Sequence, residues 1–229
     1  MRRLRDALRP VRLSLELLLG RKLVLFAVVD ALVVCACLID MLFGSNGEPA
    51  EIYASVVLLP FLLLGLPALS GLVDVERQAG CLDLALSSPS AEGYFVRRAG
   101  AVCATLAAQG WALVLLAWGY DNRSFPLLAV LFHIVVVSLF LGAVALFWAV
   151  RLRTAGAVWL ASLATVLLMK RWSMANPIPP RLTVAYGPFL PGPEAALAWL
   201  PSLAVLAGGA ALFFLYARRR LRRPELILS

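Results

Sequence analysis

The chain has 229 residues, 62% of them hydrophobic and only 15% charged, with a net charge of +8. A soluble domain mixes roughly 45–50% apolar with about 25% charged residues, so this composition excludes an ordinary soluble protein and leaves an integral membrane one. The basic residues stand at the ends of apolar runs and form no patch interleaved with polar sequence, which speaks against a nucleic-acid partner and makes them membrane-orienting charge.

In chain order, residues 1–21 come first. Leu4, Leu8, Val11, Leu15 and Leu18 recur at spacings of three and four, with Arg2, Arg3, Arg5, Arg9 and Arg12 largely around the remaining surface. An apolar stripe beside a basic face predicts a helix lying in the headgroup plane; a basic tail that merely orients the first span is the alternative. Glu16 interrupts the first apolar stretch and no small-residue cleavage site precedes the first span, so a signal peptide is not expected.

Residues 22–229 predict a six-span transmembrane domain. A crossing helix needs about 20 apolar residues, and the runs near 22–43, 52–73, 96–118, 125–150, 154–169 and 195–217 qualify. The fifth is short, and the fourth is long enough to tilt. Asp30 lies eight residues past Lys22, about 12 Å along a helix axis and well inside the hydrocarbon. A charge there is costly and must face protein or water. Asp30 therefore lines a substrate path or subunit interface, or is buried in its protonated form. Cys35, Cys37, Cys81 and Cys103 fall in spans or on the inner side, so no disulfide framework is implied.

Lysines and arginines set the orientation. With the N-terminus inside, 17 of the 21 fall on inner segments and four on outer ones. The expected protein is multi-pass in the plasma (inner) membrane, with both termini and the 74–98 loop cytoplasmic. The outer segment 170–194 holds six of the fourteen prolines with Trp172, Tyr186 and Phe189. It reads as a semi-rigid outer cap or as a plain Pro-rich loop.

The 74–95 region is the longest polar-rich interval. Leu82 and Leu86 stand one turn apart, with Asp74, Glu76 and Arg77 at the start, where negative charge suits a helix N-terminus. Ser88-Pro89 ends that helix, because a residue before proline avoids the helical region. Ser88 and Pro89 then suit the cap and first position of a second helix running into the third span. Such a short cytoplasmic helix, tied to two spans, would pass force from a soluble partner to the membrane.

Catalytic signals are missing. The single histidine, His133, lies in the fourth span and reads as a hydrogen-bonded packing residue before it reads as a ligand. No H-E-x-x-H, G-x-S-x-G or G-x-x-x-x-G-K-[ST] motif occurs, so neither a zinc protease, a serine hydrolase nor an ATP-binding loop is expected. The chain reads as a non-catalytic subunit that binds no cofactor itself.

Glu76-x-x-x-Gly80-x-Leu82, then Leu86 and Pro89, followed by Tyr94 and Arg97 or Arg98, resembles the permeases of the type-2 (type V) ABC exporter superfamily. There the stretch between spans two and three typically reads E-x-x-x-G-T-L-E-x-L-L-x-x-P. This chain departs from it at Cys81 and at Asp83. The resemblance extends to the N-terminal interfacial helix, six spans with both termini inside, and an outer element between spans five and six. It implies that Glu76, Gly80, Leu82, Asp83, Leu86 and Pro89 form an ATPase-coupling region, with Gly80 allowing close backbone approach. It implies a second permease copy or paralogue and a pair of ATPase subunits, which would carry ATP and Mg. A small permease with no large outer domain is also similar to the membrane subunit of the haem exporter of cytochrome c maturation, as is the stretch 140–156. Haem is thus one candidate among amphipathic or hydrophobic substrates. The alternative is a membrane anchor or assembly factor that docks a cytoplasmic partner through 74–98. A secondary transporter fits less well, since the three-span halves show no evident repeat and intramembrane charge is scarce.

Overall fold

The computed structural model describes residues 65–87, 91–120, 126–175 and 193–223, with the separate positions Val28, Ala31, Leu32, Cys35, Ile39 and Ile227. Seven helices are delineated within them, and no strand: α1 (Leu66–Ser70), α2 (Asp74–Gln78), α3 (Leu82–Ser87), α4 (Ala91–Tyr120), α5 (Leu127–Ala149), α6 (Ala155–Ala175) and α7 (Pro193–Leu221). The interfacial helix expected over 1–21, most of the first two expected spans, Asp30 and Pro89 lie outside the described residues.

Helix α5 is apolar on every side, as its sequence LLAVLFHIVVVSLFLGAVALFWA dictates, and a helix of that kind belongs at the centre of a bundle. It packs against α4, α7, α6 and α1. Its most apolar stretch is 61% buried, against 44% for α4 and 22% for α7; the outer two thus each keep a broad face for lipid. Among the described residues, three helices are long and apolar enough to cross a membrane: α4 over Ala91–Leu116, α5, and α7 over Trp199–Leu221. The apolar part of α6, Ala155–Met169, is shorter. The described chain is all-helical and membrane-embedded.

Helix α4 runs unbroken from Ala91 through Tyr94, Arg97 and Arg98 into the third expected span, as the sequence predicts for the second helix of the polar interval. Two other helix ends differ from those read in the sequence. Helix α6 continues past residue 169 to Ala175, because Lys170 and Arg171 are good helix formers and nothing before Pro177 breaks the chain. Helix α7 opens on Pro193, a position where the missing N–H is not needed. Segment 170–194 is therefore helical over 170–175 and 193–194, and the cap or loop expected between them lies outside the described residues.

Lipid is as apolar as leucine, so helices associate in a membrane through close packing and hydrogen bonds between them. Both are present around α5. The indole N–H groups of its neighbours and its own bridge outward: Trp111 of α4 donates to the Leu131 carbonyl at 2.9 Å, Trp199 of α7 to His133 Nδ1 at 3.3 Å, and Trp148 of α5 to Thr165 Oγ1 of α6 at 3.0 Å. His133 is thus a buried, hydrogen-bonded packing residue. A Cβ at Gly142 would collide with the buried Cys103 Sγ of α4, whose thiol donates to the Ser138 carbonyl at 3.3 Å. Gly142→Ala is expected to lower unfolding free energy by about 1–3 kcal/mol through overpacking. Cys103→Ala should relieve much of that loss, and thermal unfolding of both single variants and the double variant would check it; strictly additive effects would remove the contact from the argument.

Candidate functional site

The polar interval gathers where α4 begins, α5 turns into α6, and α7 ends. The turn Gly71–Val73 leads from α1 into α2. Asp74 and Glu76 lie in the first turn of α2, where the helix dipole favours them, and Gln78 Nε2 donates to Asp74 Oδ2 one turn earlier at 2.7 Å. The helix stops at Gly80, whose φ is +66°. The Gly80 N–H reaches the Arg77 carbonyl at 3.1 Å and the Cys81 N–H reaches the Glu76 carbonyl at 3.0 Å, the paired bonds of a Schellman ending. A side chain in that left-handed conformation costs about 1–2 kcal/mol. The single helix expected up to Ser88 is accordingly two, broken at Gly80. The glycine is needed for its backbone angle: a Cβ there would meet nothing within 4 Å, so the close approach expected of it is not seen.

Neighbouring residues of α2 are fastened to different parts of the bundle. Glu76 turns inward and forms a buried ion pair with Arg98 of α4, their side chains 7% and 2% exposed. The Tyr94 hydroxyl donates to the same Glu76 oxygen at 2.8 Å and receives a long bond from Arg98 at 3.4 Å. Charges survive burial only when paired and hydrogen-bonded in this way. Arg77 instead donates to the Leu152 and Arg153 carbonyls, at 3.2 and 2.5 Å, in the α5–α6 turn. A third tie joins the start of α4 to the end of α7, where Glu92 accepts from Arg218 and, at 2.6 Å, from Arg222. Those two arginines are partly exposed, so this tie contributes little on its own.

Helix α3 lies against α4 with Leu82 and Leu86 buried. Its opposite side presents Asp83, Leu84 and Ser87, with Leu84 76% exposed. Beside it, Arg77, Gly80, Leu82, Asp83, Arg153 and Ile227 line a small polar hollow of about 300 Å³. This short element thus combines an exposed apolar side chain and an exposed acidic neighbour with a face buried against α4.

No family model matches this chain, and no curated protein or solved structure is significantly similar to it.

The residues expected to act as a coupling region therefore divide. Glu76, Leu82 and Leu86 face the bundle and position the element, while Gly80 shapes it; Asp83 is exposed. Sequence reasoning missed three participants. Leu84 carried a signal in principle, because at two residues from both Leu82 and Leu86 it falls on the opposite face of a helix. Arg77 reads in the sequence as orienting charge at the start of a helix, and Arg98 as orienting charge and one of two arginines that fit the basic position of the resemblance; their partners, 75 and 22 residues away, leave no local trace. Among the described residues no three His, Cys, Asp or Glu side chains converge in a metal-holding group.

Proposed function

We propose that this chain is the membrane-spanning permease half of an ATP-driven ABC exporter, working as a pair with a second copy or paralogue. The 74–98 element would lie on the cytoplasmic side and receive a separate ATPase. One observation carries the reading: α2 and α3 are fastened at Glu76 to α4 and at Arg77 to the α5–α6 turn, while Leu84 and Asp83 face outward. A push on Leu84 would thus reach three long helices at once. An apolar groove of about 440 Å³ between α4, α5 and α7, lined by residues such as Ala99, Cys103, Leu139 and Phe214, supports an amphipathic or hydrophobic substrate. Haem for cytochrome c maturation is one candidate of that class.

The same outward face would serve an anchor or assembly factor equally well, and the partner's chemistry separates the two readings. Mild-detergent capture of the tagged protein from its native membrane should bring down an ATPase with a phosphate-binding loop. Leu84→Glu should reduce that recovery at least tenfold, since an anchor residue at a docking surface is worth about 2 kcal/mol. A reproducible partner without an ATP site would establish the anchor reading, and unchanged recovery from Leu84→Glu would remove α3 as the docking face.

A further inference from the structure

The last turn of α7 and the two residues that follow it carry two different arginine faces. Arg218 and Arg222, one turn apart, reach Glu92 of α4. Tyr216, Arg219, Arg220 and Arg223 recur at spacings of three, one and three, which places them on another side of the same helix. Together with Arg222 they line a hollow of about 550 Å³. Arg219 and Arg223 are exposed and meet no carboxylate among the described residues.

Tyr216 is held in place by Arg151. The Arg151 guanidinium lies over its ring at 4.7 Å and over Phe147 at 4.7 Å. Arg151 also donates to the Tyr216 hydroxyl from Nε and Nη2, at 3.1 and 2.7 Å. A hydroxyl that accepts twice leaves its own proton to donate elsewhere. Guanidinium groups match phosphate oxygens bidentately. The carbonyl end of α7 opposes an anion with about half a charge, which three guanidinium groups outweigh.

What lies above the arginines identifies the class of ligand. Leu212 and Leu215 are 71% and 48% exposed and continue the stripe of Tyr216 and Arg219 toward the membrane interior, so apolar surface and cationic surface adjoin along one helix face. A free phosphate or an acidic peptide would use the arginines and leave the leucines idle. An amphipath uses both. We propose that the Leu212–Arg223 face of α7 binds an anionic glycerophospholipid, its phosphate among Arg219, Arg220, Arg223 and Tyr216 and its acyl chains along Leu212 and Leu215.

Native mass spectrometry of the full chain, released from micelles with equal phosphatidylglycerol and phosphatidylcholine, tests this. The wild type should retain phosphatidylglycerol in clear preference. The exposed-site double variant Arg219→Gln/Arg223→Gln should reduce that preference about 25-fold, since each arginine near an anionic headgroup is worth about a fivefold gain. Arg218→Gln, on the Glu92 face, should keep it, and Arg219→Lys/Arg223→Lys should keep most of it. Equal retention of the two lipids, or a preference untouched by the glutamine pair, overturns the proposal. So does a hexaglutamate peptide that binds the wild type where neither lipid discriminates, or inorganic phosphate retained as firmly as the lipid.

Discussion

Glu76→Ala is expected to lower the unfolding free energy by about 3–5 kcal/mol, the loss seen when one partner of a buried ion pair is removed. Arg98 would then keep its charge in a site that is 2% exposed, with Nε and Nη2 already lacking partners among the described residues. Tyr94 cannot take over, because its hydroxyl would offer a single oxygen to a full cation. The paired replacement Glu76→Leu/Arg98→Met should recover most of the loss, since an apolar pair of similar volume avoids desolvating two charges. Thermal unfolding of the single and double variants in one detergent would measure both effects. A loss under about 1 kcal/mol in Glu76→Ala would mean that the pair is hydrated and does not hold α2 against α4. Under the proposed exporter function the paired variant has a second use: a fold restored without the charges, but with the partner's ATP hydrolysis uncoupled from transport, would place the polar contact in force transmission.

The second large effect separates folding from docking on one helix. Leu82→Asp should destabilise the 74–87 element by at least about 2–5 kcal/mol, the range for truncating a buried leucine, with the buried carboxylate adding to it. Leu84→Asp, two residues on and exposed, should change stability by no more than about 0.5 kcal/mol. Limited proteolysis across the 79–81 turn would read the difference directly: rapid cleavage in Leu82→Asp and wild-type resistance in Leu84→Asp. Under the proposed function both variants would lose the docked partner, Leu82→Asp because α3 comes away from α4 and Leu84→Asp because the exposed side chain itself is gone. Full resistance in Leu82→Asp would mean that α3 does not depend on its contact with α4. The packing account would then fall, whatever happened to docking.

Three of the six expected spans were legible from hydropathy as helices long and apolar enough to cross a membrane, and most of the first two lies outside the described residues. The runs 96–118, 125–150 and 195–217 correspond to α4, α5 and α7, because roughly twenty apolar residues in succession have one stable solution in lipid. The leucine spacing of α3 was legible for a similar reason: Leu82 and Leu86 needed only the helical period to share a face. Arg98 was not. In sequence it is one of two adjacent arginines at the foot of a span, and its reading as orienting charge follows from position alone. Only the arrival of Glu76, 22 residues earlier in the chain, turns it into a buried structural partner. The break at Gly80 lay between these cases. A glycine in a helical pattern marks either a tolerated weak point or a C-terminal stop, and the φ of +66° decides for the stop.

Composition and apolar run length were enough to make this chain helical and membrane-embedded, since a backbone surrounded by hydrocarbon must satisfy its own hydrogen bonds. They were enough, too, to mark 74–98 as an exceptional polar interval. Beyond the shared face of Leu82 and Leu86, which of its residues hold the element was settled by tertiary contact. Burial of Glu76, capture of the α5–α6 turn by Arg77 and the splitting of the terminal arginines into two faces all depend on groups distant in the chain. Coulombic pairing and close packing act between neighbours in space, and local periodicity carries no record of who those neighbours are.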